Sequence, residues 1–158
     1  MNLLTKVRKA DENDLEGILG LVKDLAEYEK APDAVTANLE SYKINFKKGI
    51  FDAIVADNGD GQITGMVLYY YAWSTWKGKM IYLEDFVVKE TVRGKGVGKL
   101  LFEALIEEAK RMDCVMLKWQ VLDWNTPAIR FYEKYDTVFE KGWWNGKIYF
   151  KKNDLEIE

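Results

Sequence analysis

The densest chemical signal in the chain is Arg93-Gly94-Lys95-Gly96-Val97-Gly98-Lys99. Glycines let a backbone approach a ligand closely and take positive φ. A helix beginning just behind them points unpaired N–H groups, and the positive end of its dipole, at the same spot. With Arg93, Lys95 and Lys99 adding charge, the segment reads as an anion cradle whose natural guest is a pyrophosphate. It is not a Walker A loop, because Leu100 stands where that motif requires Ser or Thr after the lysine. Nor is it a dinucleotide fingerprint, since Gly94-x-Gly96-x-Gly98 lacks the Gly-x-Gly-x-x-Gly spacing. A glycine-rich turn with a solvated basic fringe is the plainer reading of the same residues.

The chemistry open to the chain is narrowed by what it lacks. Its 158 residues include no histidine and a single cysteine, Cys114. Ser-His-Asp and Cys-His catalysis, His-ligated metals, an internal disulfide and a multi-cysteine zinc site are all excluded. Proton transfer must use carboxylates, Tyr, Lys, Cys or water. Cys114 reads as a small core residue. A formal charge of −3 and a pI near 5.2 are a poor footprint for tracking phosphates along a nucleic acid, and none is expected as a partner. The longest apolar run, Met66 to Trp73, is far short of the ~20 residues a spanning helix needs. With no membrane segment and no signal-like start, a cytoplasmic location is the expectation.

Around these residues the sequence predicts a single domain over 1–158. Thr5 to Ala10 reads as a first strand. Asp11, with Asp14 as a weak capping box, opens a helix whose apolar positions Leu15, Ile18, Leu19, Val22, Leu25 and Ala26 recur at helical spacing to about Tyr28. A second helix is expected from near Thr36 to before Gly49. Phe51–Ala56 and Ile63–Trp73 read as a hairpin across Asp57–Gly61, and Lys79–Val88 as a third strand leading into the glycine loop. Val97 to Met112 keeps the 3.6 period of a helix, Cys114–Val121 reads as a buried strand, and Thr126-Pro127 opens a short helix to about Tyr135. Val138–Trp144 and Ile148–Lys151 complete the pattern as a hairpin across Asn145-Gly146. The order is β-α-α-β-β-β-α-β-α-β-β: an α/β (α+β) fold with a mixed, mainly antiparallel central sheet and helices on both faces.

Arg93-x-x-Gly96-x-Gly98 resembles the acyl-CoA pyrophosphate loop of the GNAT superfamily of N-acetyltransferases, and the element order is also that superfamily's. The likeness is closest to the spermidine/spermine (diamine) and thialysine acetyltransferases. It is carried by Leu25–Lys30, Trp76-x-Gly78-Lys79, Tyr82-Leu83-Glu84-Asp85-Phe86, the glycine loop, and Trp124-Asn125-x-Pro127-x-Ile129-x-Phe131-Tyr132. The resemblance implies acetyl-CoA as cosubstrate, a small-molecule amine as acceptor, no metal, and a homodimer.

Residue roles follow from the same resemblance. Gly94 to Lys99 with Arg93 would hold the diphosphate, and the main chain of Phe86, Val87 and Val88 would pair with pantetheine and polarise the thioester. Asn125 and Pro127 would steady the coenzyme arm. Tyr132 would protonate the departing thiolate, a phenol being a plausible donor near neutral pH. Glu84 would act as base, through water, and touch the acceptor. Asp85 would point to the opposite face of a regular strand, so both acids serve one site only if a bulge intervenes. Tyr28 and Glu29 match substrate-side residues, and Trp76, Trp119 and Gln120 are further candidates for a cationic acceptor. Three readings remain: acetylation of a small amine, acetylation of a protein N-terminus or lysine on the same fold, and a non-catalytic acyl-CoA-binding module.

Overall fold

Turn-forming residues and β-rich runs in the middle of the chain build one sheet, and the 3.6-period segments build the helices around it. The computed structural model describes residues 5–150. Its strands are β1 (Lys6–Lys9), β2 (Asp52–Asp57), β3 (Ile63–Ser74), β4 (Gly78–Val88) and β5 (Met116–Trp119). Its α-helices are α1 (Leu15–Tyr28), α2 (Leu39–Lys47), α3 (Val97–Arg111) and α4 (Thr126–Tyr132). The chain divides into two compact units between Gln120 and Val121.

The first unit holds the sheet, in the order β1-β2-β3-β4-β5. Every neighbouring pair is antiparallel except β4 and β5, which run parallel and are joined by the α3 crossover. The turn between β2 and β3 is pinned by Asp57, whose Oδ1 accepts from the Gly59 and Gly61 amides at 2.8 and 3.2 Å. Alternation along the strands assigns the two faces. Ala53, Val55, Met66, Leu68 and Val87 meet Leu15, Ile18 and Leu21 of α1, with Leu39, Tyr42 and Phe46 of α2 packed alongside. The other face carries α3: Phe86 stacks on Phe102 with centroids 5.9 Å apart, and Tyr71 donates to Glu108 at 3.1 Å. Gly65 of β3 lies so close beneath α3 that a Cβ there would meet Leu101 Cδ1 and Val87 O, both at 3.0 Å.

The entry to α1 is tied to the sheet by charge. Arg8 on β1 donates to both carboxylate oxygens of the buried Asp14, at 2.7 and 2.9 Å, and reaches Asp57 on β2 at 3.1 Å. Asp14 also closes the expected capping box, accepting from the Asp11 amide while Asp11 accepts from Asn13. In the second unit Asn125 caps α4 by accepting from the Ala128 amide at 3.4 Å, and Pro127 sits in its first turn.

The fold class is as the sequence predicts, with differences at the ends of elements. Helix α2 begins at Leu39 behind an Asn38 cap, later than Thr36, because Pro32 opens a separate 3-10 turn over Pro32–Ala34. Strand β5 is shorter than Cys114–Val121, and α4 stops at Tyr132 instead of Tyr135. The expected closing hairpin, Val138–Trp144 with Ile148–Lys151, does not form: residues 136–150 take neither helix nor strand, and Lys151 lies outside the described residues. Alternating apolar residues make a strand only when a neighbouring edge accepts them. Here Val138, Trp143, Trp144, Ile148, Tyr149 and Phe150 stand exposed instead.

Candidate active site

The glycine loop is built by backbone conformation. Gly94 and Gly96 have φ of 75° and 82°, and a Cβ at either would meet nothing within 4 Å. The requirement for glycine there is therefore conformational, and the loop borders open space. Gly96 is the N-cap of α3, and no side chain caps that helix. The first amide with a helical acceptor is that of Leu100, which donates to Gly96 O at 3.1 Å. The amides of Val97, Gly98 and Lys99 accordingly have no acceptor in the helix, which is the arrangement a diphosphate requires. Val97 turns its side chain into the core, and a Cβ added at Gly98 would stand at ordinary contact distance, 3.5 Å, from the Phe86 ring. Lys95 and Lys99 are exposed, Lys99 standing 4.0 Å from Glu103. Arg93 does something further: its Nε donates to Val88 O at 3.0 Å and its guanidinium lies 5.6 Å over the Tyr28 ring. It thereby fastens the loop to the end of β4 and to the end of α1.

Beside this loop the sheet opens. The β4–β5 ladder runs from Met80↔Met116 to Leu83↔Trp119 and stops, while β4 continues to Val88 in register with β3. The edge of β4 carrying Phe86, Val87 and Val88 is thus left clear of β5.

A β-bulge decides which side chains face this opening. Tyr69 of β3 pairs with Leu83, but Leu68 pairs with Asp85, so Glu84 is the extra residue. Leu68 and Val87 belong to the core against α1, and Asp85, opposite Leu68 and two residues before Val87, shares their face. Tyr70 and its partner Tyr82 lie on that face too, and Glu84 follows Tyr82 by two. Glu84 and Asp85 therefore both face the α1/α2 side, which regular alternation forbids.

The electrostatics record the crowding of acids. The Asp85 carboxyl is pushed up to about 6, chiefly by burial and then by the charges of Glu84 and Glu29. Glu29, at the C-cap of α1, is itself raised by burial. Tyr42 of α2 is raised by burial and then by Asp85 and Glu84. Tyr70 donates its hydroxyl to Glu84 Oε2 at 3.1 Å and stacks on Tyr82 with centroids 5.3 Å apart and planes at 22°. The Tyr70 phenol is pushed up to about 12 by burial and by Glu84, so it keeps its proton and acts as a donor. Three carboxylates rimmed by tyrosines give this face the negative charge and aromatic surface that attract a cation.

The structure groups some of the expected residues and separates others. Glu84 and Glu29 come together, and Tyr28 joins the glycine loop through Arg93. Trp119 instead packs edge-on against Phe102, 5.6 Å away, on the α3 face of the sheet. Gln120 follows it, exposed. Trp76 is 89% exposed in the turn between β3 and β4, roughly 20 Å along β4 from Glu84. In the second unit Asn125 spends its side chain on the helix cap. Tyr132, the last residue of α4, is buried, and burial raises its phenol well above the ordinary value. Burial also raises the Cys114 thiol, which disfavours the thiolate a nucleophile requires. Asp85, Tyr42, Tyr70 and Tyr82 are the residues that sequence reasoning did not assign. A bulge was the only signal that could have recruited Asp85, and strand patterning does not reveal one.

A cavity of about 280 Å³ is lined by Tyr70, Lys9, Phe46, Phe51, Asp52 and Tyr71. Its charges are already paired, Lys9 donating to Asp52 at 2.5 Å and to the Tyr69 hydroxyl at 2.6 Å.

Comparison with known proteins gives the family and the fold. Residues 20–136 match the Acetyltransferase (GNAT) family. The chain is 36% identical over 149 residues to the thialysine N-epsilon-acetyltransferase of Bos taurus, covering 87% of this chain and 88% of that protein. It is 33% identical over 136 residues to the enzyme of the same name from Caenorhabditis elegans, covering 84% of each. Among solved structures, an aminoglycoside acetyltransferase from an uncultured soil metagenomic sample superposes with a TM-score of 0.77 at 18% identity, over 94% of this chain and 97% of that one, a likeness of fold. An uncapped glycine-led helix, a sheet that parts beside it and a matched sequence across both make this chain a member of the GNAT family of acetyltransferases.

Proposed function

We propose that the enzyme transfers an acetyl group from acetyl-CoA to a small primary amine, such as a diamine, a polyamine or a lysine-like amino acid of the thialysine type. Attack is direct, within a ternary complex. The observation that carries this reading is the bulge at Glu84, which turns two adjacent carboxylates toward Glu29 at the end of the strand that feeds the glycine loop.

In this reading the amides of Val97, Gly98 and Lys99 bind the coenzyme diphosphate. The edge of β4 from Phe86 to Val88, beyond the end of the β4–β5 ladder, accepts the pantetheine as an added strand, and one of its N–H groups polarises the thioester oxygen. Glu84 accepts, through a water, the proton that the acceptor ammonium must lose. Asp85 and Glu29 hold the cationic remainder of the acceptor against Tyr42. The freed amine nitrogen bonds to the carbonyl carbon, the carbon–sulfur bond breaks, and Tyr132 gives its proton to the thiolate. Likeness to the thialysine enzymes supports the acceptor class. It also supports use of acetyl-CoA, as the family match does.

The family match spans both compact units, which supports one acetyltransferase domain over the chain. The same reading includes a homodimer, supported by the run of exposed apolar residues from Val138 to Phe150. It also includes a cytoplasmic location; no helix among the described residues is long and apolar enough to cross a membrane.

The test is a panel of diamines, polyamines, lysine analogues and peptides with acetyl-CoA, read by release of free thiol. Turnover with small diamines or thialysine at least about tenfold above peptides is expected. A preference for peptides would reassign the enzyme to protein acetylation, and coenzyme binding without thiol release would make it a binding module.

A further inference from the structure

We propose that Tyr70 is a positioning residue for Glu84, its phenol fixing the carboxylate that the bulge leaves outside the strand ladder. The inference rests on the acetyltransferase reading above and deepens it.

A residue inside a regular ladder is oriented by its cross-strand partner. Glu84 has none, because Leu83 pairs with Tyr69 and Asp85 with Leu68. Its side chain is exposed, and a general base must be held within a fraction of an ångström of the proton it takes. One contact meets that need: the Tyr70 hydroxyl donates to Glu84 Oε2 at 3.1 Å. Tyr70 is itself well anchored. Its backbone pairs with Tyr82, and its ring lies nearly parallel on the Tyr82 ring at 5.3 Å. Two strands thus hold the phenol, and the phenol holds the acid. With one carboxylate oxygen so occupied, the other is left to face the water and the amine. Since Tyr70 touches neither reacting atom, its effect must pass entirely through Glu84, and that dependence is what an experiment can read.

The experiment is a double-mutant cycle on the full chain, with acetyl-CoA and the best amine of the panel. Tyr70→Phe keeps the ring stack and removes only the donor. It should lower kcat about tenfold, leave KM for acetyl-CoA unchanged, and in a Glu84→Ala background change kcat by less than about twofold. A merely structural tyrosine would cost the same factor in both backgrounds, and that outcome overturns the proposal. So does a Tyr70→Phe enzyme as fast as the parent. Should Tyr70→Phe not fold, Tyr82→Leu, which removes the ring beneath Tyr70, must show the same dependence on Glu84. A parent enzyme that releases no thiol with any amine overturns the functional reading and this proposal together. An active parent with independent Tyr70 and Glu84 effects overturns this proposal alone.

Discussion

Asp85 is the residue whose ionisation links stability to the site. Its carboxyl is raised to about 6 in the folded chain from an ordinary 3.8, by burial first and by Glu84 and Glu29 second. Between these two values the folded state keeps a proton that the unfolded chain has already lost, so stability falls as pH rises across that window and is flat above it. The full shift corresponds to a ceiling of roughly 3 kcal/mol. Asp85→Asn should therefore stabilise the fold by about 1–2 kcal/mol at pH 7.5 and by almost nothing near pH 4, measured by urea denaturation at both. The same variant should bind a diamine less well, because a cation-holding charge is gone. That pairing of higher stability with lower affinity marks a functional carboxylate, and a loss of stability at pH 7.5 would refute it. Tyr132 is argued at the same scale. Its proposed role as acid means that Tyr132→Phe should lower kcat by about a hundredfold with KM for acetyl-CoA little changed. A rise in KM alone would make Tyr132 a binding residue.

Two elements create the site, the start of α3 and the bulged stretch of β4. The first was legible in the sequence, since glycines with positive φ ahead of an amphipathic run announce an uncapped helix whatever the rest of the chain does. Gly96→Ala places a side chain at φ 82°, where alanine is strained, and tilts the amides of the first turn. It should weaken acetyl-CoA binding about tenfold by calorimetry while the KM of the amine stays constant. Equal weakening of both would mean that the loop shapes the acceptor site as well. The bulge was not legible. Tyr82-Leu83-Glu84-Asp85-Phe86 looks like any regular strand, and which residue is left over depends on the register that β3 imposes from across the hairpin. For the same reason Trp119, attractive by type, ends on the α3 face against Phe102.

The whole molecule carries an apolar debt at its described C-terminal end. Val138, Trp143, Trp144, Ile148, Tyr149 and Phe150 form a strand-like pattern with no partner strand among the described residues. Such surface is usually covered by another chain. In the proposed homodimer a second copy covers it. Sedimentation should show a dimer for the parent chain, and Trp143→Lys with Ile148→Lys should shift it toward monomer while leaving the helical circular dichroism unchanged. A monomeric parent would rule out the homodimer. By itself the sequence determined what is local: the kinds and order of the elements through α4, the cap at Asp11, and the glycine loop. These depend on backbone preferences and periodicities within a few neighbouring residues. Tertiary structure alone decided the bulge at Glu84, the approach of Glu29 to Asp85, the parting of β4 from β5 beyond Leu83, and the failure of 136–150 to become strands. Each of those needs a partner segment distant along the chain, and pairing energy of that kind is not written in either segment alone.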